Sequence, residues 1–281
     1  MQPFTCNICG ANCRDATCKS CGAGLRDRAI LQVLSMELFG VLLTLPEFPR
    51  LRSIRGLGTS DSHLYADRLA QKFDYRNTFY DREPRLDIAH PPEEEIGKYD
   101  FVISSEVFEH VLPPVEAVFQ NACRLLKPNG VLVLSTPYSL EASTVEHFPD
   151  LHEFGFAQLG ERLVLVNRTR AGAVQVFENP IFHLGCSGQA LEVREFSESA
   201  LRALLSAAGF STIRIYSENC APFGIVRTES WSLPMAARKG AFALSLDTTR
   251  EAMEHWRELN RSVKRLGRSY WFRIGHKLGL V

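Results

Sequence analysis

The sequence predicts an α/β fold in which a mostly parallel sheet is covered by helices on both sides. Two short apolar runs, Phe101–Ser104 and Val131–Leu134, are rich in Val and Ile, the pattern of strands buried on both faces. Between them Val115, Val118, Phe119, Ala122, Leu125 and Leu126 recur at helical spacing. Pro113-Pro114 open that helix, and Asn129-Gly130 supply the turn that ends it. Strand, helix and strand in this order form one βαβ unit. A chain of 281 residues is long enough to surround it with others and to add a small appendage.

The remaining elements follow in order. Leu25–Phe39 is a helix with Ile30, Leu31, Leu34 and Leu38 on one face. Leu51–Arg55 is the first strand of the sheet, Gly56-Leu57-Gly58-Thr59-Ser60-Asp61 the loop after it, and Asp61–Phe73 a helix. Tyr75–Tyr80 and Leu86-Asp87-Ile88 are the next strands, ahead of the central unit. Beyond it Leu163–Val166 and Val174–Phe177 form a hairpin about the turn-rich Asn167–Gly172. Ser197 caps a helix bearing Leu201, Leu204, Leu205 and Ala208, and Gly209 ends it. Ser211–Tyr216 and Ser232–Lys239 complete seven strands. A last helix, Asp247–Leu266, carries Met253, Trp256, Leu259, Val263 and Leu266 at roughly heptad spacing and leads to Tyr270-Trp271-Phe272. That helix is expected to dock on the cysteine-rich region or on a second subunit; an interfacial membrane anchor or an acidic partner surface is the other reading.

Apolar residues make up 45% and charged residues 23%, the composition of an ordinary globular protein. Lys plus Arg equals Asp plus Glu at 32 each, which argues against a global field for nucleic acid or membrane. The charge is unevenly spread, however: from Arg261 onward there are six basic residues and no acid. Met1–Gly10 lacks the apolar run of a secretory signal, and Ala29–Leu45 is broken by Gln32, Ser35 and Glu37, so no membrane span is expected and the location is read as cytoplasmic.

Five of eight cysteines crowd into Cys6–Cys21, which argues for metal rather than disulfides. Cys6-Asn7-Ile8-Cys9-Gly10 and Cys18-Lys19-Ser20-Cys21-Gly22 are two Cys-x-x-Cys-Gly knuckles. Two residues between thiolates let both sulfurs reach one ion, and the glycine permits the turn that aims N–H groups at sulfur. Cys6, Cys9, Cys18 and Cys21 are the expected ligands of a structural Zn2+, and Cys13 is spare. Reduced thiol loops without metal, or a redox pair, are the alternatives.

Tyr99-Asp100-Phe101, Glu109-His110 and Leu126-Lys127-Pro128-Asn129-Gly130 together resemble the central segment of class I S-adenosylmethionine-dependent methyltransferases. The run Cys21-Gly22-Ala23-Gly24-Leu25-Arg26-Asp27-Arg28 is similar to the start of a bacterial subset in which a zinc ribbon precedes the sheet. The resemblance implies a Rossmann-like seven-stranded sheet whose last strand runs antiparallel and closes one edge. It divides the chain into a zinc ribbon (1–24), a connecting helix (25–48), a methyltransferase domain (49–240, with an acceptor lid at 140–185) and a C-terminal helical extension (241–281).

The resemblance implies S-adenosylmethionine as cofactor. Gly56, Gly58, Thr59 and Asp61 would line its methionine and ribose, Asp81 (or Glu83) would hold the ribose diol, and Asp87 the adenine amino group. Ser104, Ser105 and Glu106, at the end of the fourth strand, would face the transferred methyl. The loop departs from the family pattern, with Ile54-Arg55 where an acid is usual and only two glycines. His110, His147 and His152 are candidate bases, each also readable as a hydrogen-bonded structural residue. Arg26 and Arg28 either reach an anionic part of the acceptor or pair with acids. The function implied is methyl transfer to a small-molecule or sugar acceptor at oxygen. The alternative is a non-catalytic scaffold or zinc-ribbon interaction protein; an RNA methylase and a dinucleotide oxidoreductase fit the charge and the glycines less well. A homodimer or a peripheral contact through the basic helix is the partner reading.

Overall fold

The computed structural model describes residues 2–185, 188–241 and 245–268. Cys186 and the Tyr270-Trp271-Phe272 run lie outside the described residues.

Six strands form the central sheet: β1 (Leu51–Thr59), β2 (Phe73–Thr78), β3 (Tyr99–Ser105), β4 (Leu126–Ser135), β5 (Thr212–Ile215) and β6 (Met235–Arg238). Their order is β5-β6-β4-β3-β1-β2, with β2, β1, β3 and β4 mutually parallel and β6 antiparallel to both its neighbours. The antiparallel strand therefore lies one place inside the edge, and β5 takes the edge itself. Among the described residues this sheet has six strands; Leu86–Ile88 is not a strand and only follows the isolated bridge Phe79↔Arg85. A strand there has too few backbone partners, because Arg85–His90 turns back on itself through Asp87.

Burial alternates with the pleat as a doubly covered sheet requires. Phe101, Ile103, Val131 and Val133 face one core with α1 (Leu25–Phe39) and α2 (His63–Lys72). Val102, Leu132 and Leu134 face the other with α3 (Glu116–Leu125) and α4 (Glu198–Ala207). α3 begins at Glu116, so Pro113-Pro114 precede it rather than occupy its first turn. Ser197 caps α4 by accepting from the Ala200 N–H at 3.1 Å. Lys127–Gly130 bulges out between the pairs Tyr99↔Leu126 and Phe101↔Val131, so the predicted turn sits inside β4.

The expected glycine loop is strand. β1 runs through Thr59, and Gly56 and Gly58 lie within it. Their lack of a side chain is used by neighbouring rings. A Cβ on Gly56 would sit 2.1 Å from the Phe101 ring, and one on Gly58 would sit 2.1 Å from the Tyr75 hydroxyl. The turn itself is confined to Ser60–Ser62.

The predicted hairpin is the greater part of a three-stranded antiparallel meander, Glu153–Leu159, Arg162–Arg168 and Val174–Glu178, with Arg162–Arg168 in the middle. Leu165 packs there with Phe148, Leu151 and Val193. The buried Asn167 amide donates to the Asp150 carbonyl and to Gln175, and accepts from the His152 N–H. The C-terminal helix, α5 (Leu246–Arg268), docks on the start of β1 and not on the cysteine knuckles: the Glu251 carboxylate accepts from the Arg52 and Ser53 N–H groups. Among the described residues no helix is long and apolar enough to cross a membrane.

Overpacking tests the role of the glycines. Gly56→Ala is expected to destabilise the fold by about 2–3 kcal/mol, since the Phe101 ring must leave its place in a packed core. Urea denaturation measures this, and an unchanged midpoint would contradict it.

Candidate active site

The strand order reverses direction at β1, with β2 on one side and β3 and β4 on the other. Ligands of open α/β sheets bind outside the carboxyl ends of the strands at such a point. Polar residues gather there because the apolar strand interiors cannot hold them. The Thr59 hydroxyl at the end of β1 donates to the Ser104 hydroxyl at the end of β3 at 3.0 Å, both groups buried. Ser105 and Ser135 hydroxyls meet at 2.8 Å, and Ser135 also donates to Glu106 at 3.0 Å. Both central strands leave the sheet through a residue in the left-handed region, Ser60 (φ 58°) and Glu106 (φ 56°). Non-glycine residues held there are strained, and such strain clusters at ligand sites.

Glu106 is joined to the N-terminal module. Arg26, in the first turn of α1, places its guanidinium 3.2 Å from the Glu106 carboxylate. Arg28 does something different: fully buried, it donates to the Ala16, Ala23 and Gly224 carbonyls and lies over the Phe4 ring. Arg26 therefore pairs with an acid, and Arg28 serves backbone carbonyls rather than a carboxylate.

Asp61 forms a buried knot beneath the loop. Its carboxylate accepts from the Tyr65 hydroxyl at 3.0 Å and from the Tyr75 hydroxyl, while Asn77 bridges its backbone N–H and carbonyl. Burial pushes this carboxyl up to about 7. Asp61, Gly56 and Gly58 thus sit under the crevice, whereas Asp81 is exposed in the loop after β2. Asp87 caps its own turn, accepting from the Ala89 N–H at 2.9 Å and lying 3.2 Å from His90 Nδ1. Glu83 likewise caps a local turn through Arg85.

The Glu109-His110 pair ties the meander segment to the sheet. His110 Nδ1 lies 2.7 Å from the Leu191 carbonyl, and the Glu109 carbonyl accepts from the Val193 N–H at 2.9 Å. The Glu109 carboxylate is fully buried and accepts from the Thr136 hydroxyl at 2.8 Å. Burial, with the charge of Glu106 nearby, pushes it up to about 8. Arg194, also buried, bonds Glu146 at 2.8 Å and the Val111 carbonyl, closing the same seam. Sequence reasoning did not single out Glu109 as a buried acid or Arg194 as a buried base; the only local signal for Arg194 is its place between Val193 and Phe196. His147 pairs with Glu192 at 3.3 Å, and His152 is exposed. His183 falls in Phe182–Gly185, and its side chain is outside what is described.

The cysteines converge as their spacing predicts. Each knuckle closes with the glycine N–H donating to the first cysteine carbonyl, Gly10 to Cys6 and Gly22 to Cys18, both glycines at φ near 80°. The Sγ atoms of Cys6, Cys9, Cys18 and Cys21 all lie within 4.8 Å of one another, with Cys6–Cys21 at 3.7 Å and Cys9–Cys18 at 3.6 Å. A tetrahedron of metal–sulfur bonds about 2.3 Å long has edges of about 3.8 Å, so the donor set fits zinc. Cys13 is not part of the quartet; its thiol donates to the Ala11 carbonyl.

The sequence pattern of a family described as a methyltransferase domain matches residues 50–215. Among proteins of curated function none matches this chain. Among solved structures it is similar to the 1,6-didemethyltoxoflavin-N1-methyltransferase of Burkholderia thailandensis, solved with 1,6-didemethyltoxoflavin and S-adenosylhomocysteine. That pair shares 17% identity over 76% of this chain and 80% of that one, with a TM-score of 0.38. It is also similar to CalS10, an amino pentose methyltransferase from Micromonospora echinaspora, at 16% identity over 78% and 93% with a TM-score of 0.41. A third is the sugar N-methyltransferase KedS8 of a Streptoalloteichus species, at 14% identity over 67% and 81% with a TM-score of 0.38.

The raised carboxyls make stability depend on pH with a definite sign. Above about pH 4 the unfolded chain has released protons that folded Asp61 and Glu109 still hold, so the stability they confer is full below that pH. It is lost as pH rises through about 7 for Asp61 and about 8 for Glu109. Glu109→Gln is expected to remove the second part of this slope. Melting temperatures of wild type and variant, compared between about pH 5 and pH 9, should diverge in the variant's favour toward high pH. A constant difference would exclude a protonated Glu109.

Proposed function

We propose that this chain, which belongs to the methyltransferase-domain family, transfers a methyl group from S-adenosylmethionine to a small-molecule or sugar acceptor, at oxygen. The observation that carries this reading is the cluster of Thr59, Ser104, Ser105 and Glu106 at the strand ends flanking the switch point, inside the family-matched segment.

The donor set suits a nucleoside carrying a charged tail. Ser104, Ser105 and Glu106 line the reacting end, Asp81 takes the ribose diol, and Asp87 the adenine amino group. Thr59 fixes the Ser104 hydroxyl, and Gly56, Gly58 and Asp61 support the crevice from below. When bound, S-adenosylmethionine supplies a methyl on a positively charged sulfur, ready for in-line displacement; the protein's part is alignment and removal of the acceptor proton. His110 is our first choice for that proton. The Leu191 carbonyl holds its Nδ1–H, which leaves Nε2, 3.6 Å from the buried Glu109 carboxyl, as the nitrogen that can take a proton. His147, steered by Glu192, and exposed His152 are the other two. The meander within 140–185 serves as the acceptor lid, and the division into 1–24, 25–48, 49–240 and 241–281 follows the same reading. We place the enzyme in the cytoplasm. The cysteine quartet holds a structural zinc ion, which secures α1 and with it Arg26 opposite Glu106.

The second reading is a scaffold that does not bind cofactor, and the packing of Phe101 and Tyr75 against Gly56 and Gly58 in β1 is the feature it would rest on. Calorimetric titration with S-adenosylhomocysteine separates the two. Binding in the micromolar range, weakened at least tenfold by Asp81→Ala, is expected; no heat at millimolar ligand would sink the enzyme.

Metal analysis is expected to find about one zinc per chain, lost in Cys18→Ser. Removing the metal should lower both the melting temperature and the affinity for S-adenosylhomocysteine, because Arg26 loses its footing. A metal-free protein that keeps both would refute the structural role.

A further inference from the structure

α5 is 23 residues long, about 34 Å at 1.5 Å per residue, and only its first part touches the body. Thr248, Glu251, Ala252 and His255, spaced as one helical stripe, make up its docked side: Thr248 is buried, and Glu251 is fastened to Arg52 and Ser53. From Trp256 on, every residue whose burial is described is exposed.

A second stripe runs along the helix beside the docked one. Leu246, Met253, Trp256, Leu259 and Val263 are large, apolar and 48–77% exposed. Five such residues on one helix make a continuous apolar face that a protein surface does not ordinarily leave to water. Beyond Trp256 the charges beside it are nearly all of one sign. Residues 257–281 hold seven basic residues and a single acid, Glu258, in a chain whose formal net charge is zero. The remaining 256 residues therefore carry the compensating negative charge, and among the described residues the positive excess lies on the far half of α5, where Arg257, Arg261, Lys264, Arg265 and Arg268 stand against Glu258. Arg257 and Arg261, one helical turn apart, have no carboxylate partner among the described residues.

We infer that α5 docks on an anionic lipid surface, its Met253–Trp256–Val263 stripe entering the headgroup region while Arg257, Arg261 and Arg265 meet lipid phosphates. A helix with an apolar stripe centred on Trp and a cationic border has the physical requirements for lying in such an interface. Charge complementarity selects this occupant over a neutral surface. It also selects it over a parallel pairing of two α5 helices, which would bring the two positive ends together. This division of charge fixes orientation: the acidic body is repelled from the same surface that attracts α5.

The test is co-sedimentation of the full chain with two kinds of vesicle, pure phosphatidylcholine and an equal mixture of phosphatidylcholine and phosphatidylglycerol. Wild type should pellet with the mixed vesicles, remain in solution with the neutral ones, and be released by high salt. Each basic group near an anionic surface contributes about 1 kcal/mol, roughly fivefold in partitioning, so Arg257→Gln with Arg261→Gln should reduce binding about thirtyfold. Trp256→Ala should weaken it without changing its salt dependence. Equal binding to both vesicles, or to neither, would overturn the inference. So would a dimer in solution that the Trp256→Ala change converts to monomer, since the stripe would then belong to a second copy. Calorimetry with S-adenosylhomocysteine on the same variants shows whether the body remains folded and is independent of the lipid result.

Discussion

Through their second halves the strands β1, β3 and β4 meet water on neither face, so polar side chains reappear there only at the carboxyl ends. That restriction explains why Phe101–Ile103 and Val131–Leu134 are apolar throughout, and why the first hydroxyls appear at Thr59, Ser104, Ser105 and Ser135. It also explains the two glycines. With helices pressed on both sides, a ring as large as Phe101 or Tyr75 can lie against β1 only where β1 has no side chain. Site and packing are thus two results of one constraint: the apolar interior pushes the chemistry to the carboxyl ends, and the strand order opens a crevice there.

Much of this was legible in the sequence because it is local. The α1 boundaries, the βαβ unit, the cap at Ser197 and the paired knuckles all depend on residues within one or two turns of each other, and the structure has them. What the sequence misled on depends on distant partners. Gly-x-Gly looks like a loop until Phe101, more than forty residues away, claims the space above Gly56. Leu86–Ile88 looks like a strand until Asp87 turns it. The Glu109-His110 pair and Arg194 looked like separate features, yet they form one seam through Leu191, Val193 and Glu146, and nothing at either end of that seam announces the other.

The seam and the cysteine module grip the crevice from opposite sides. On one side His110, Glu109 and Arg194 fix the base of the meander; on the other α1 brings Arg26 to Glu106. Glu106, held in the left-handed region, accepts from the Ser135 hydroxyl on one side and pairs with Arg26 on the other.

The clamp made by Arg28 has a consequence for how the protein is made. Its guanidinium reaches Gly224, 196 residues further along the chain, and Gly224 in turn lies so close to the Phe4 ring that a Cβ there would come within 2.4 Å of it. A ribosome adding about 5–20 residues per second needs roughly 10–40 s to cover that distance. During that interval the knuckles exist without the cover that the finished protein gives them. The contacts that Gly224 gives Arg28 and Phe4 can therefore form only after five of the six strands of the central sheet have been made.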